Sequence, residues 1–202
     1  MIPTTIEEQI EELIKKQENT EQIEIRYPQI IAEVRDFVGL FENLCQYGAH
    51  THPITADLVA TVVEIGWDVV QYYKEIFARR RPSVINPYVR PLIRVPRFAA
   101  YPSGHATQAH LVKEILKEIL SCVMGDEERF VIEQRLDETA ERIGVNREYA
   151  GVHYASDTHS GMCLAHDIWQ VASKNPTFIR FIKAAQEEWA RSEQSGLSII
   201  VR

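Results

Sequence analysis

The sequence predicts an all-α protein, folded as a single helical bundle. Three observations support this fold class. Apolar residues recur three and four positions apart along most of the 202 residues, which is the spacing of amphipathic helices. Helix-start signals separate the periodic segments, the clearest being Asn175-Pro176, an N-cap residue followed by proline. No segment within the helical pattern alternates apolar and polar residues as a strand would.

Seven helices are expected, and their boundaries follow from the apolar spacing and the capping residues. The first places Ile6, Ile10 and Leu13 on one side, and a polar connection at 19–27 follows it. The third is apolar on most of its sides, which predicts a position in the middle of the bundle. The predicted helices cover residues 5–18, 28–48, 55–79, 104–121, 126–149, 156–174 and 175–191.

Composition and charge narrow the range of functions. The net charge is −7, whereas binding to nucleic acid requires a cationic surface, so we expect no nucleic-acid partner. No apolar run is long enough to cross a bilayer and no secretory signal is visible, so we expect no membrane insertion. Three widely spaced cysteines, Cys45, Cys122 and Cys163, are expected to be reduced, which favours a cytoplasmic location.

Residues 79–97 contrast with this acidic composition because they hold six arginines and no carboxylate. Five prolines between residues 82 and 102 restrict the backbone and exclude a long helix there. Just beyond them, Ser103-Gly104 can open a helix whose first N–H groups bind an anion. The segment therefore predicts a rigid cationic pocket for a phosphate-like anion. The six arginines are Arg79, Arg80, Arg81, Arg90, Arg94 and Arg97.

Five residues from three separate clusters could hold such an anion. The guanidinium groups of Arg81 and Arg147 match two phosphate oxygens each, and Lys74 adds a point charge. The Ser103 hydroxyl and the Gly104 N–H can complete the cage. Because phosphoryl transfer depends largely on positioning and on stabilising spread negative charge, this set suits that reaction.

Three further residues could carry the reaction itself. A neutral His153 can act as the in-line nucleophile, and Asp157, four residues on, can fix its tautomer. A second imidazole, His105, can protonate the leaving oxygen and then activate water. With the anion-holding residues they form three sequence clusters, Lys74-x6-Arg81-Pro82, Pro102-Ser103-Gly104-His105 and Arg147-x5-His153-x3-Asp157.

These clusters resemble the three-part signature shared by type-2 phosphatidic-acid phosphatases (PAP2), bacterial class A acid phosphatases and vanadium-dependent haloperoxidases. The resemblance implies an all-α bundle spanning residues 1–202, with an active-site core at about 54–174. It also implies that His153 is either a phosphohistidine nucleophile or the ligand of a vanadate cofactor. The third part usually begins Ser-Arg, and Asn146 replaces that serine here, which we interpret as a change behind the anion site.

The phosphatase branch is favoured because Gly151, His153, Ser156-Asp157 and Gly161 follow its pattern and the chain is short. We therefore expect a metal-independent acid-phosphatase-like enzyme that hydrolyses a small-molecule phosphate monoester, with no cofactor and with vanadate as an inhibitor. The alternative is a haloperoxidase that uses vanadate as cofactor in the same pocket. Phe98, seven residues before His105, supports that alternative because chloroperoxidases of the family tend to carry an aromatic residue there.

Other interpretations remain open from the residues alone. A non-catalytic anion-binding scaffold would be expected to lose His105, His153 or Asp157, and all three are present. Two alternatives are open for the apolar stretch Leu197–Val201, namely packing on a partner subunit, consistent with a homo-oligomer, and a frayed end. A metal hydrolase is disfavoured because the upstream segment supplies arginines in place of ligands. Its candidate ligands are His153, Asp157, His159, His166 and Asp167.

Overall fold

The structure, a computed structural model, describes residues 5–194, and every regular element in that range is a helix. The predicted fold class is therefore confirmed for this part of the chain. The apolar stretch Leu197–Val201 lies outside the described residues. The helices are α1 (Ile6–Glu18), α2 (Thr20–Asp36), α3 (Val38–Cys45), α4 (Pro53–Phe77), α5 (Pro82–Ile85), α6 (Gly104–Leu120), α7 (Asp126–Tyr149), α8 (Ala155–Ala172) and α9 (Pro176–Gln194).

The predicted polar connection at 19–27 is wrong, because these residues form the first half of α2. Asn19 caps this helix through its side chain, which accepts a hydrogen bond from the N–H of Gln22 at 3.1 Å. Pro28 lies inside α2 instead of starting it. Proline deprives only the carbonyl of Glu24 of its helical donor, and Glu24 is exposed to solvent. The polar composition of residues 19–27 therefore led to the prediction of a loop where the chain forms a helix.

The second predicted helix is divided at Phe37 into α2 and α3. The carboxylate of Asp36 accepts a hydrogen bond from the N–H of Gly39 at 2.9 Å, which stabilises the start of α3. In the proline-rich segment, α5 is a single turn that starts at Pro82. The prolines therefore exclude a long helix there, as predicted.

The centre of the bundle is α6, not the more uniformly apolar α4. Helix α6 packs against α4, α7 and α8, and most of its residues are buried. Helix α4 leaves four large apolar or aromatic side chains exposed, so the prediction that it lies in the middle is wrong. Apolar composition alone does not distinguish a central helix from a helix with an uncovered apolar face. The exposed residues are Trp67, Tyr72, Ile76 and Phe77.

A close approach at Gly161 brings α8 onto α6. A Cβ atom at this position would lie 2.7 Å from the backbone oxygen of Ser103 and 2.9 Å from Cβ of Ala106. Such contacts leave no room for a side chain. As a result, the start of α8 lies against the start of α6, and the Ser103 N–H donates to the carbonyl of Asp157 at 3.0 Å.

The C-terminal ends of α4 and α7 and the N-terminal ends of α6 and α8 meet at one end of the bundle. The segment between α4 and α6 crosses this end and is held to it by backbone hydrogen bonds. The N–H of Leu92 donates to Ala150 at the end of α7, and the N–H of Ala100 donates to Arg79. None of the helices in residues 5–194 is both long and apolar enough to cross a membrane.

Candidate active site

The centre of the site is the imidazole of His153, whose two ring nitrogens have different partners. Nε2 lies 3.0 Å from Nη1 of Arg81, and Nδ1 lies 3.1 Å from Oδ2 of Asp157. A guanidinium can only donate, so Nε2 must accept, and the proton is on Nδ1. His153 is thus neutral with its lone pair on Nε2, the atom that a nucleophilic role requires.

Asp157 is fully buried and orients this imidazole through a second set of contacts. Its Oδ2 also accepts the N–H of Tyr154 at 3.0 Å, and its Oδ1 accepts from Nη1 of Arg79 at 2.7 Å. Arg79 in turn donates to the hydroxyl of Ser156 and lies 4.1 Å from the centre of the Tyr154 ring. Arg79 is therefore a positioning residue that supports the carboxylate behind His153.

Burial and neighbouring charges set the protonation states of this pair. Burial lowers the pKa of His153 to about 4, although Asp157 acts to raise it. Burial alone would raise the pKa of Asp157, but hydrogen bonding to His153 and the charge of Arg79 outweigh it, so this pKa lies below its ordinary value. At neutral pH the pair is accordingly a neutral imidazole on a carboxylate.

Arg147 lies on the opposite side of the site and is 1 % exposed. Its Nη2 donates to Oε2 of Glu33 at 2.7 Å and to the carbonyl of Ile30 at 3.2 Å. Its Nε and Nη1 are buried and have no acceptor among the residues that the structure describes. Buried donors without partners are costly, and a bound oxyanion would satisfy both. This arrangement fits the predicted anion contact.

Glu33, on α2, is a buried carboxylate that the sequence did not reveal. Besides Arg147, it accepts from the side-chain amide of Asn146 at 2.8 Å and lies 3.6 Å from Nε of Arg142. Asn146 also accepts from Nη1 of Arg26 at 2.8 Å. Asn146 therefore helps to hold the carboxylate partner of Arg147, a position consistent with a place behind the proposed anion site.

Lys74 contacts the protein backbone, whereas the sequence led us to expect that its ammonium group holds the anion. Its ammonium group donates to three backbone oxygens, those of Ala99, Ala100 and Pro102, at 2.7, 3.1 and 2.7 Å. All three protons therefore hold the segment that leads to Ser103, and contact with an anion would replace one of these bonds. Burial and the charge of Arg81 lower the pKa of Lys74 to about 7.

Ser103 and Gly104 form the start of α6. The Ser103 hydroxyl accepts the N–H of Ala106 at 3.4 Å, and the Ser103 carbonyl accepts the N–H of Thr107 at 3.0 Å. Within residues 5–194, the N–H groups of Gly104 and His105 have no acceptor. Two free N–H groups at the N-terminus of a 17-residue helix favour a bound anion.

His105 is partly buried beside Phe37, with 5.5 Å between the ring centres. Its ring forms a hydrogen bond to the backbone of Glu33. Burial, followed by the charges of Arg147 and His153, lowers the pKa of His105 to about 3. The imidazole is therefore neutral in the unliganded protein, and a bound dianion would have to raise this pKa before His105 could donate a proton.

The contacts connect the eight predicted site residues into one assembly. Arg79 and Glu33 complete it, although the sequence pattern gave neither residue an individual role. For Arg79 a signal existed, because it lies in the arginine-rich run. Glu33, in contrast, looked like any acidic residue of a surface helix. In residues 5–194, no group of His, Cys, Asp and Glu is arranged to hold a metal ion.

No family model matches the sequence, and no curated protein does either. Among solved structures, the chain is similar to the first transmembrane PAP2 type phosphatidylglycerolphosphate phosphatase from Bacillus subtilis. The identity is 17%, the match covers 83% of this chain and 76% of that one, and the TM-score is 0.48. The resemblance to the superfamily thus rests on the three-part signature and on the meeting of its residues at one site.

Anion affinity is expected to fall as the pH rises through about 7. In the free protein Lys74 loses its proton there, so above this pH an anion that requires the ammonium binds only when Lys74 takes up a proton. The dissociation constant should then increase by up to about tenfold per pH unit. Sulfate is the suitable probe because it stays a dianion, and calorimetry in buffers of different ionisation enthalpy reports the proton uptake.

Lys74→Arg is the matched control for this pH dependence, because its charge persists through the range. Sulfate binding to this variant should weaken less steeply near neutral pH than binding to wild type. Burial lowers the pKa values of His153 and His105 in the free protein to below this range, and any rise that the bound anion causes in them is common to both proteins. An identical pH profile in both proteins would show that another group is responsible.

Proposed function

We propose that the chain is a metal-independent phosphatase that hydrolyses small-molecule phosphate monoesters through a phosphohistidine on His153. The observation that carries the proposal is the tautomer of His153. The unprotonated Nε2 lies beside Arg81, and the Nδ1 proton is held by the buried Asp157. A nucleophile of this kind, surrounded by donors with few acceptors nearby, suits an electrophilic phosphorus that carries negative oxygens.

In the first step, the Nε2 lone pair attacks phosphorus and the ester P–O bond breaks. Arg81, Arg147 and the N–H groups at the start of α6 stabilise the phosphoryl oxygens. The leaving oxygen takes a proton from His105, whose pKa the bound dianion raises by opposing the nearby cations. Asp157 stabilises the positive charge that develops on the imidazole of His153.

In the second step, water attacks the phosphohistidine and the P–N bond breaks. His105 takes a proton from the water, and inorganic phosphate leaves with His153 neutral again. Both steps use the same donors, because each transition state carries the same spread charge. The two histidines therefore have different roles set by their surroundings, namely a carboxylate at His153 and cations at His105.

Hydrolysis of an aryl phosphate in the presence of a metal chelator tests the proposal. We expect turnover, inhibition by orthovanadate, and an acid-labile phosphoenzyme in rapidly quenched samples. The phosphatase proposal fails if the protein is inactive on a panel of aryl phosphates and other phosphate monoesters while orthovanadate binds.

The same experiment distinguishes the alternatives. If orthovanadate confers peroxide-dependent halide oxidation, the haloperoxidase alternative is supported. In that case vanadate would supply the peroxide activation, His153 would be its ligand, and Arg81 and Arg147 would hold its oxygens. The unpartnered Nε and Nη1 of Arg147 suit such an oxyanion equally well. Anion binding without either activity would support the scaffold.

A further inference from the structure

Exposed apolar side chains lie on the elements that border the end of the bundle that holds the site. They run from the C-terminal part of α4 through α5 to the segment before α6. Tyr88 is 75% exposed and Phe77 is 55% exposed, although large apolar side chains are normally covered. The arginine–aromatic surface, as we name it, consists of Tyr72, Ile76, Phe77, Val84, Ile85, Tyr88 and Phe98 together with Arg80, Arg90, Arg94 and Arg97.

Ring contacts attach this surface to the elements around the site. Phe98 packs edge-on against Trp67, with 5.4 Å between ring centres, and Phe77 packs edge-on against Tyr101 at 4.9 Å. Tyr101 directly precedes Pro102 and Ser103, and the carbonyl of Phe98 accepts from Nε of Arg81 at 3.0 Å. The exposed rings are therefore supported by the active-site end and do not belong to a detached loop.

The arginines of this surface are available for a partner. Arg79 and Arg81 of the same run are used inside the site, whereas Arg80, Arg90, Arg94 and Arg97 are exposed. In the range 5–194, the side chains of Arg90, Arg94 and Arg97 form no hydrogen bond or ion pair. The segment holds no carboxylate, and the acids of neighbouring elements are Glu75 on α4 and those of α1, whose Gln17 contacts the backbone of Arg90. The surface thus combines exposed rings with unpaired positive charge in an otherwise acidic chain.

We propose that the arginine–aromatic surface docks on an anionic lipid membrane. Aromatic rings favour the headgroup region of a bilayer, and arginines bind its phosphates while their aliphatic stems contact apolar surface. Cations near such a membrane gain electrostatic attraction that adds to the apolar burial. The docked protein places only side chains in the interface, so no spanning helix is needed. The proposal does not depend on the substrate of the active site.

A second apolar surface on the molecule lacks this charge pattern. It is a groove of about 1160 Å³ between α4, α8 and α9, and its exposed apolar residues include Val171 and Phe181. Its lining includes Asp57 and Asp167 but no lysine or arginine. The lining of this groove thus carries acids, whereas the arginine–aromatic surface carries unpaired arginines, so the two surfaces provide an internal comparison.

Co-sedimentation with vesicles tests the docking. Wild-type protein should bind vesicles of phosphatidylcholine with phosphatidylglycerol, bind phosphatidylcholine alone far more weakly, and dissociate as salt is added. Arg90→Gln/Arg94→Gln/Arg97→Gln should weaken binding about a hundredfold. The matched control, Lys174→Gln/Arg180→Gln/Lys183→Gln, changes the charge equally on exposed positions of the α8–α9 region and should bind as wild type does.

A matched pair of double variants tests how much the exposed apolar side chains contribute to membrane binding. Phe77→Ser/Tyr88→Ser should weaken binding, whereas Val171→Ser/Phe181→Ser, with equivalent exposed fractions in the groove, should not. Far-UV circular dichroism verifies that each variant is folded. Equal effects of test and control variants, or no binding to anionic vesicles, would overturn the proposal. Tighter binding to duplex DNA than to vesicles, or loss of a dimer in the serine variants, would also overturn it.

Discussion

Replacing His153 with alanine is expected to lower kcat for aryl phosphate hydrolysis about 10⁴-fold or more. The variant lacks the atom on which the phosphoenzyme forms, so the residual rate comes only from anion binding and positioning. The loss should appear in kcat, because Arg81, Arg147 and the start of α6 remain to bind the substrate. Steady-state kinetics with quenched-flow detection of the phosphoenzyme would measure both effects.

His159→Ala is the matched control for this result. His159 lies on α8, the helix that begins just after His153, and is exposed, with Cys163 at 3.6 Å as its neighbour. This variant should keep the wild-type rate and the phosphoenzyme signal. A normal phosphoenzyme level in His153→Ala would contradict the assignment of the nucleophile, because no other residue in the scheme forms that bond.

Replacing Glu33 with alanine is expected to lower the free energy of unfolding by about 3–5 kcal/mol. The carboxylate is buried, accepts from Arg147 and Asn146, and lies near Arg142. Its removal leaves Arg147 charged and buried without its anionic partner, and that uncompensated charge dominates the cost. Urea denaturation followed by circular dichroism would measure the change.

Two further measurements identify the cause of that loss. Glu24→Ala removes an exposed carboxylate from the same helix and should change stability by no more than about 0.5 kcal/mol. Sulfate should stabilise Glu33→Ala more than it stabilises wild type, because the ligand supplies a replacement anion for Arg147. An equal stabilisation by sulfate in both proteins would show that Glu33 acts only through packing.

The residues of the site differ in how far the sequence alone could identify them. The eight predicted residues carry unusual chemistry at fixed spacing, and the fold brings them to the same end of the bundle. Glu33 and Arg79 could not be assigned, because an acid on a helix or an arginine in a run has no special spacing. Glu33 lies 114 residues from Arg147 in the sequence, so only the packing of α2 on α7 reveals the pair.

The helix boundaries also differ in how far the sequence alone could predict them. Local apolar spacing and caps predicted α1, α4 and α6 to α9 to within a few residues, because these signals act within one or two turns. The polar first half of α2 carried no apolar stripe and was predicted as a connection. At the break at Phe37, a side-chain contact of Asp36 stabilises the start of α3, and apolar spacing cannot show such a contact.

The sequence by itself determined the helical fold class, the candidate residues for binding and attacking a phosphate, and the cationic segment among acidic surroundings. These are properties of residue identity and short-range spacing. Only the tertiary structure decided that α6 is the central helix, that Lys74 holds the segment before Ser103, and that the proton of His153 is on Nδ1. Each of these depends on which distant groups come within hydrogen-bond distance, and packing of the whole bundle sets those distances.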